Sequence, residues 1–200
     1  MSPRRSDSRE RMLESAVALL REHGARATSI DRVLAHNGAP RGSFYHHFPG
    51  GRAQLVEEAV ARVGGYVGGL IEDAAASGDA LRGVDAFFGL WRERLVESGF
   101  RAGCSVVAVA VEANDEAPQL ARSAAAAFAR WTEALTDLFA RQGLPEARAR
   151  RLAAFVIASV EGAVIMCRAE RDLAPLDAAA AELHDLLAEA LRPPRPRPTT

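Results

Sequence analysis

Apolar residues recur every three or four positions along most of the chain, whereas the alternation typical of half-buried strands is rare. The sequence is also rich in Ala, Leu, Arg and Glu, which favour helix. Gly and Pro mark the helix ends. In the N-terminal quarter, three helices are predicted: from Asp7 or Ser8 to Gly24, from Thr28 to Asn37-Gly38, and from Pro40 to His47.

The rest of the chain predicts six further helical segments. They cover about residues 52–76, 79–98, 104–113, 118–141, 145–170 and 175–191. Asn114-Asp115 is expected to cap the helix that starts near Pro118. The predicted fold class is therefore all-α with about nine helices: an N-terminal three-helix module (1–52), a larger C-terminal helical domain (53–192), and a disordered tail (193–200) with four prolines.

Charge divides the chain at the same place. The whole sequence carries 25 basic and 26 acidic residues, with every basic residue an arginine. Residues 1–52 hold nine arginines and five acidic residues, whereas residues 53–200 hold sixteen arginines and twenty-one acidic residues. A small basic module joined to a larger acidic domain is the expected result.

Several features bear on where the protein works. Cys104 and Cys167 are too few for a disulfide framework, which favours a reducing, cytoplasmic setting. The longest apolar run, Leu152–Cys167, has 16 residues and includes Glu161, so it predicts a core helix rather than a membrane span. The charged N-terminus is unlike a signal peptide. We expect a cytoplasmic protein with no membrane partner.

Two short helices joined at Gly38 form a candidate helix-turn-helix, because glycine gives the turn its backbone freedom. In the second of them, Arg41 is suited to a guanine edge or a phosphate, and Gly42 allows the backbone to approach a groove. The candidate DNA-binding residues are Thr28, Ser29, Pro40, Arg41, Gly42, Ser43, Tyr45, His46 and Arg52.

Other interpretations of these residues remain open. Thr28 can serve as a helix N-cap alone, and Tyr45 can pack rather than contact phosphate. Phe44 and Phe48, four residues apart, favour the core. His46 and the histidine after it do not predict a metal site, because no further ligand has suitable spacing.

The stretch Thr28-Ser29-Ile30 together with Gly38 to Phe48 (GAPRGSFYHHF), followed by Pro-Gly-Gly and an arginine, resembles the signature of the TetR family of transcriptional regulators. The sequence departs from the common pattern at Leu34, Ala39 and Pro40, which affects packing and base preference. Weaker similarity to the LmrA/YxaF-like subgroup continues in the second domain. The residues that show this similarity are Gly103-Cys104, Val111-Glu112, Phe128 with Trp131, Val160 to Ala163, and Arg168 to Leu176.

The resemblance implies a repressor released from a palindromic operator by a small lipophilic or aromatic effector. Independently, residues 53–192 carry more large apolar side chains than a simple bundle requires, which suits either a pocket or an ordinary core. The candidate ligand-binding residues are Phe88, Trp91, Leu95, Cys104, Val107, Val111, Phe128, Trp131, Leu135 and Glu161. Glu112 and Glu161 lie in apolar runs, where core pairing and ligand contact are the alternatives.

A recognition helix this short reads few base pairs, so two copies on a two-fold operator are expected. The resemblance places the dimer interface on the last two helices, with Phe155, Ala158, Gly162, Leu183 and Leu187 as candidates. We expect double-stranded DNA, a small-molecule effector and a second copy of the chain as partners, and neither a cofactor nor a metal.

Two rival functions are weighed against this one. An effector-independent DNA-binding dimer fits the same N-terminal module. A helical enzyme or ligand carrier would need catalytic or phosphate-binding motifs, and the sequence contains no HExxH, GxSxG or Walker-type loop. We therefore expect no enzymatic activity.

Overall fold

The computed structural model describes residues 3–76, 78–112 and 117–192. Within these ranges every regular element is an α-helix, and nine helices are present, as the sequence predicts. They are α1 (Pro3–Ala27), α2 (Ile30–Asn37), α3 (Arg41–His47), α4 (Gly51–Ala76), α5 (Ala80–Glu97), α6 (Ser105–Glu112), α7 (Pro118–Arg141), α8 (Glu146–Glu170) and α9 (Ala174–Ala190). The expected cap at Asn114-Asp115 and the Pro-rich tail lie outside the described residues.

Two glycines shape the N-terminal module. Gly24 interrupts α1 with φ 82° and ψ 174°, after which the chain makes one more turn to Ala27. Gly38 ends α2 in the left-handed region at φ 70°, and its N–H donates to the carbonyl of Leu34 at 2.8 Å. Both positions were predicted as helix ends, and both need the backbone freedom of glycine.

The start of α2 differs by two residues from the prediction. Ser29, rather than Thr28, is the N-cap, because its hydroxyl accepts the backbone N–H of Arg32 at 3.3 Å. The helix proper then begins at Ile30. This shift leaves Thr28 in the junction between α1 and α2 instead of in the first helical turn.

Close packing of α4 on α7 forms the centre of the larger domain. A Cβ added at Gly64 would lie 3.0 Å from the Cβ of Ala127, so glycine permits this approach. The indole Nε1 of Trp131 donates to the Gly64 carbonyl at 2.9 Å. Around this pair, α1 packs on α4 and α6, α8 packs between α7 and α9, and α5 contacts α4 and α9.

One hydrophobic core runs through both parts of the chain, from Met12 in α1 to Leu187 in α9. The helix α4 begins at Gly51 and extends from the helix-turn-helix region into the larger domain. The boundary between residues 52 and 53 therefore falls at a helix start, and it stays a prediction.

The helix α8 is long and apolar enough to cross a bilayer by length and composition, contrary to the expectation from its interruption at Glu161. One of its faces packs inside the protein through Val156, Val160 and Val164, all of which are buried. The buried face is what a core helix requires.

Candidate DNA-binding surface and effector cavity

The short helix α3 has one buried face and one exposed face. Phe44 and Phe48 are fully buried, and their rings lie 5.4 Å apart, which confirms their prediction as core residues. The guanidinium of Arg9 lies 5.2 Å from the Phe48 ring centroid. The two phenylalanines anchor α3 and fix which side chains it presents to solvent.

Five of the predicted DNA-binding residues lie exposed on the opposite face or at its start: Pro40, Arg41, Gly42, Tyr45 and His46. Tyr45 has 53% of its surface accessible. Ser43 is half-buried, and its hydroxyl donates to the Pro40 carbonyl at 2.8 Å. The exposed face therefore combines a guanidinium, a bare backbone segment and two polar rings, which suits contact with base edges and phosphates.

Arg41 already has a partner on α2. Its Nη1 lies 3.0 Å from Oδ1 of Asp31, and both side chains are 68% exposed. Such an exposed ion pair is weak, worth about 0–1 kcal/mol, so a guanine edge or a phosphate can compete for the same guanidinium. The pair holds Arg41 beside α2 until it is displaced.

Thr28 is buried and Arg52 is half-buried, and both side chains form hydrogen bonds within the protein instead of standing free as the predicted phosphate ligands. Thr28 is fully buried, and its hydroxyl donates to the Gly24 carbonyl at 2.8 Å. The Arg52 Nε donates to the Thr28 carbonyl at 2.8 Å, and its Nη2 donates to the Ala25 carbonyl. These bonds satisfy carbonyls at the end of α1, so both residues fix the geometry of the α1–α2 junction.

His46 and His47 stand with ring centroids 5.3 Å apart. In the part of the chain that the structure describes, no group of three metal-ligating side chains forms. The two rings meet edge to face at the end of α3.

A small cavity lies in the larger domain between α4, α5, α7 and α8. Its volume is about 20 Å³, which is room for about one water molecule. Of the predicted ligand-binding residues, Trp131, Leu135 and Glu161 line it. Sequence reasoning did not single out several other lining residues as ligand contacts: Val67, Ile71, Ala74, Gly83, Val84, Phe87, Leu138, Val156 and Ile157.

The other predicted ligand contacts do not reach this cavity. Phe88, Trp91, Leu95 and Cys104 are buried in the core beside it. Val107 and Phe128 are partly buried, and the Phe128 ring meets Trp131 edge-on at 5.4 Å. Val111 is 74% exposed, so its prediction as a pocket residue is wrong. A valine-rich run with no clear period does not reveal which positions face inward.

Glu161 is the charged residue of the cavity lining. It is only 8% exposed, and desolvation raises its pKa from 4.5 to about 7, while a hydrogen bond from the Cys104 thiol partly offsets the rise. Its Oε2 has no hydrogen-bond partner among the described residues. Burial, and then the negative charge of Glu161, raise the pKa of Cys104 well above its ordinary value, so the thiol stays protonated.

Comparison with known proteins decides the family. The N-terminal profile of bacterial regulatory proteins of the TetR family matches residues 12–59, and the profile of the LmrA/YxaF-like transcriptional regulator C-terminal domain matches residues 80–182. The chain belongs to the TetR family of transcriptional regulators. The resemblance predicted from the motif is thereby confirmed, as is the function of a DNA-binding regulator.

Relatives of this TetR-family chain include an uncharacterized HTH-type transcriptional regulator, Rv0196, from Mycobacterium tuberculosis, 46% identical over 90% of this chain and 93% of the relative. The HTH-type transcriptional regulator LmrA of Bacillus subtilis is 29% identical, covering 90% of this chain and 97% of its own length. Among solved structures, a TetR regulator from Legionella pneumophila superposes with a TM-score of 0.80 at 20% identity, covering 90% and 96% of the two chains.

The regulator carries an exposed apolar stripe along α8. Phe155 is 53% exposed, and Ile165 and Met166 are each 52% exposed. The predicted interface residues Ala158 and Gly162 are exposed and half-buried respectively, at helical spacing from Phe155. These residues share one face of α8, opposite the face that packs in the core.

Leu183 and Leu187 have a different position from the one predicted. They are 2% and 0% exposed within a single chain, where α9 packs on α5 and α8. An apolar stripe shows that a helix face is covered but does not show by which element, so these two residues were assigned to the interface wrongly.

Proposed function

We propose that this TetR-family regulator is a cytoplasmic homodimeric repressor that binds a palindromic operator through the exposed face of α3. The observation that carries the proposal is the division of α3, with Phe44 and Phe48 buried and Arg41, Gly42 and Tyr45 exposed. Seven residues read few base pairs, so two modules about one DNA turn apart are needed. The apolar stripe on α8 supplies the second-copy contact.

Within this proposal, Arg41 and Gly42 lie against base edges, together with Pro40 and Ser43. Tyr45 and His46 hold phosphates. Thr28, Ser29 and Arg52 act indirectly, by holding the α1–α2 junction. No enzymatic step is assigned, since the family consists of transcriptional regulators.

The effector enters through the side of α5. An open groove of about 410 Å³, lined by both α4 and α5, shares Ile71, Ala74, Gly83 and Phe87 with the small cavity. Phe87 has the largest of the shared side chains, and it borders both a groove of ligand size and a cavity with room for about one water molecule. Rotation of Phe87 would join the two volumes, giving a lipophilic ligand access to Trp131 and Glu161.

A second candidate function is an effector-independent DNA-binding dimer. The small volume of the cavity, about 20 Å³, favours this alternative. Thermal-shift screening of neutral aromatic compounds separates the two functions, because a ligand of the folded state raises the melting temperature. Phe87→Ala, which opens the cavity, should increase the shift if the cavity is the effector site, and no compound should shift either protein if the alternative holds.

Footprinting of the protein on its own upstream DNA tests the main proposal. Protection of two half-sites about ten base pairs apart, relieved by a compound that also raises the melting temperature, is the expected result. Absence of a protected palindrome at protein concentrations where the chain is dimeric would contradict it.

A further inference from the structure

A second groove, distinct from the effector cavity, lies where α1 meets α4 and α5. Its volume is about 410 Å³, which is within the usual range of small-molecule sites. The lining residues are Glu14, Val17, Ala18, Arg21, Arg62, Val63, Tyr66 and Arg94. Three guanidiniums thus face one carboxylate, inside a chain whose larger domain is acidic overall.

The carboxylate of the groove, on Glu14, already has an arginine partner. Arg62 forms ion pairs with Glu10 and with Glu14, the latter at 3.9 Å. Arg21 and Arg94 have no carboxylate within 4.0 Å among the residues that the structure describes. Partial burial, and then the charge of Arg94, lower the pKa of Arg21. Two guanidiniums therefore line one groove without a carboxylate partner among the described residues, and an anionic guest would offset their mutual repulsion.

The groove also offers an aromatic surface. Tyr66 is 50% exposed, and the Arg94 guanidinium lies 5.4 Å from its ring centroid and 5.9 Å from that of Trp91. Stacking on rings holds a guanidinium plane in place and leaves its edge N–H donors available for a carboxylate or phosphate. Val17 and Val63 supply apolar wall beside these donors.

We propose that this groove is a binding site for a small aromatic anion, whose carboxylate or phosphate is held by Arg21 and Arg94 and whose ring lies against Tyr66. Such a guest would touch α1 as well as α4 and α5, so it would connect the DNA-binding module to the larger domain. The site differs from the effector cavity in both position and ligand charge. Its occupancy can be measured without DNA, so it stands or fails separately from the proposed function.

A matched pair of probes tests the site by isothermal titration calorimetry on the full chain. 2-Naphthoate carries the charge, and 2-naphthamide has nearly the same shape without it. We expect saturable binding of 2-naphthoate at one site per chain, at least about tenfold tighter than 2-naphthamide, and weakened by added salt.

The variant Arg21→Gln/Arg94→Gln should weaken 2-naphthoate binding by about tenfold or more while leaving 2-naphthamide binding unchanged. Arg150→Gln is the matched control. Arg150 is exposed on α8, where it pairs with Glu146 one helical turn away, and it does not line the groove. Circular dichroism melting checks that each variant folds, and the two single substitutions replace the double one if it does not. Equal binding of the two probes, an unaffected double variant, or no saturation by 2-naphthoate at millimolar concentration would overturn the proposal.

Discussion

The carboxylate of Glu112, at the end of α6, accepts the backbone N–H of Arg26 at 2.5 Å. It also accepts the N–H of Ala25 at 3.1 Å. These two donors directly follow the break at Gly24, so a side chain of the larger domain completes the hydrogen bonding of the turn that leads into α2. At the other end of α6, the N–H of Gly103 donates to the Arg21 carbonyl at 3.0 Å. The helix α6 is thus tied to α1 at both ends.

Glu112→Ala should destabilise the protein by about 1–3 kcal/mol, because the N–H of the buried Ala25 loses its partner. The unfolding midpoint in urea measures this change. Operator affinity should fall as well, since the turn before α2 loses its support. Glu97→Ala, on an exposed position of α5, is the control. An unchanged midpoint for Glu112→Ala would show that the two bonds carry no net stability.

Gly24→Ala and Gly38→Ala form a second matched pair. Both force alanine to a positive φ. Gly38, at φ 70° and ψ 15°, lies in the left-handed region, where alanine costs about 1–2 kcal/mol. Gly24, at φ 82° and ψ 174°, lies in a region that is essentially restricted to glycine, where the cost is about 1–3 kcal/mol. A Cβ at Gly38 meets nothing within 4 Å, whereas one at Gly24 collides with Oε1 of Glu112. We therefore expect the larger loss of stability for Gly24→Ala, with part of it recovered in Gly24→Ala/Glu112→Ala. A Gly24→Ala/Glu112→Ala protein that melts no higher than Gly24→Ala would contradict the collision.

The burial of Glu161 predicts a pH dependence of stability. Its folded-state pKa, about 7, lies above the ordinary value of 4.5, so the folded chain keeps a proton that the unfolded chain releases. The resulting destabilisation is absent below about pH 4, grows through the window between these two values, and is complete above about pH 7. At most, it amounts to roughly 3 kcal/mol.

Glu161→Gln removes this titration while keeping the shape of the side chain. The variant should gain stability relative to the parent as the pH rises from 5 to 8, as measured by urea denaturation at each pH. Cys104 stays thiol over this range because burial raises its pKa. A difference between the two proteins that is constant from pH 5 to 8 would mean that Glu161 is not desolvated as described.

The stripe on α8 predicts how the chain dimerises. Phe155→Asp places a charge at the N-terminal end of the stripe, and a charge is costly to bury at an interface. We expect sedimentation equilibrium to show a folded monomer, together with a loss of operator binding. Val96→Asp is the control, because Val96 is 55% exposed on α5, away from the stripe. A Phe155→Asp protein that remains dimeric would move the interface elsewhere.

Much of the fold follows from local signals. Helical spacing and glycine stops predict the helices, and the i,i+4 pair Phe44 and Phe48 predicts the orientation of α3. Contacts between distant segments were not predictable from spacing. Arg52 binds carbonyls 24 and 27 residues away, which turns an expected phosphate ligand into a structural residue. Leu187 has the periodicity of an interface residue but is covered by its own chain.

The candidate effector site shows the same limit. Trp131 was predicted as a ligand contact, and it does line the cavity, yet its indole also joins α7 to α4 through Gly64. Truncating Trp131 would leave a cavity in the core and cost about 3–5 kcal/mol of stability. A Trp131 variant therefore cannot report on effector binding alone. Phe87 is the better probe, and the packing of α4 against α5 shows that it lines both the groove and the cavity.

Operator affinity of Arg41→Ala, measured by fluorescence anisotropy on the footprinted upstream DNA, tests most directly whether the exposed face of α3 reads sequence. The substitution should weaken binding by about 1–3 kcal/mol and relax the preference at one base pair of each half-site. Arg150→Ala, with an exposed arginine on α8, should bind as the parent does. Unchanged affinity and unchanged base preference in Arg41→Ala would contradict the assignment of this face to the operator.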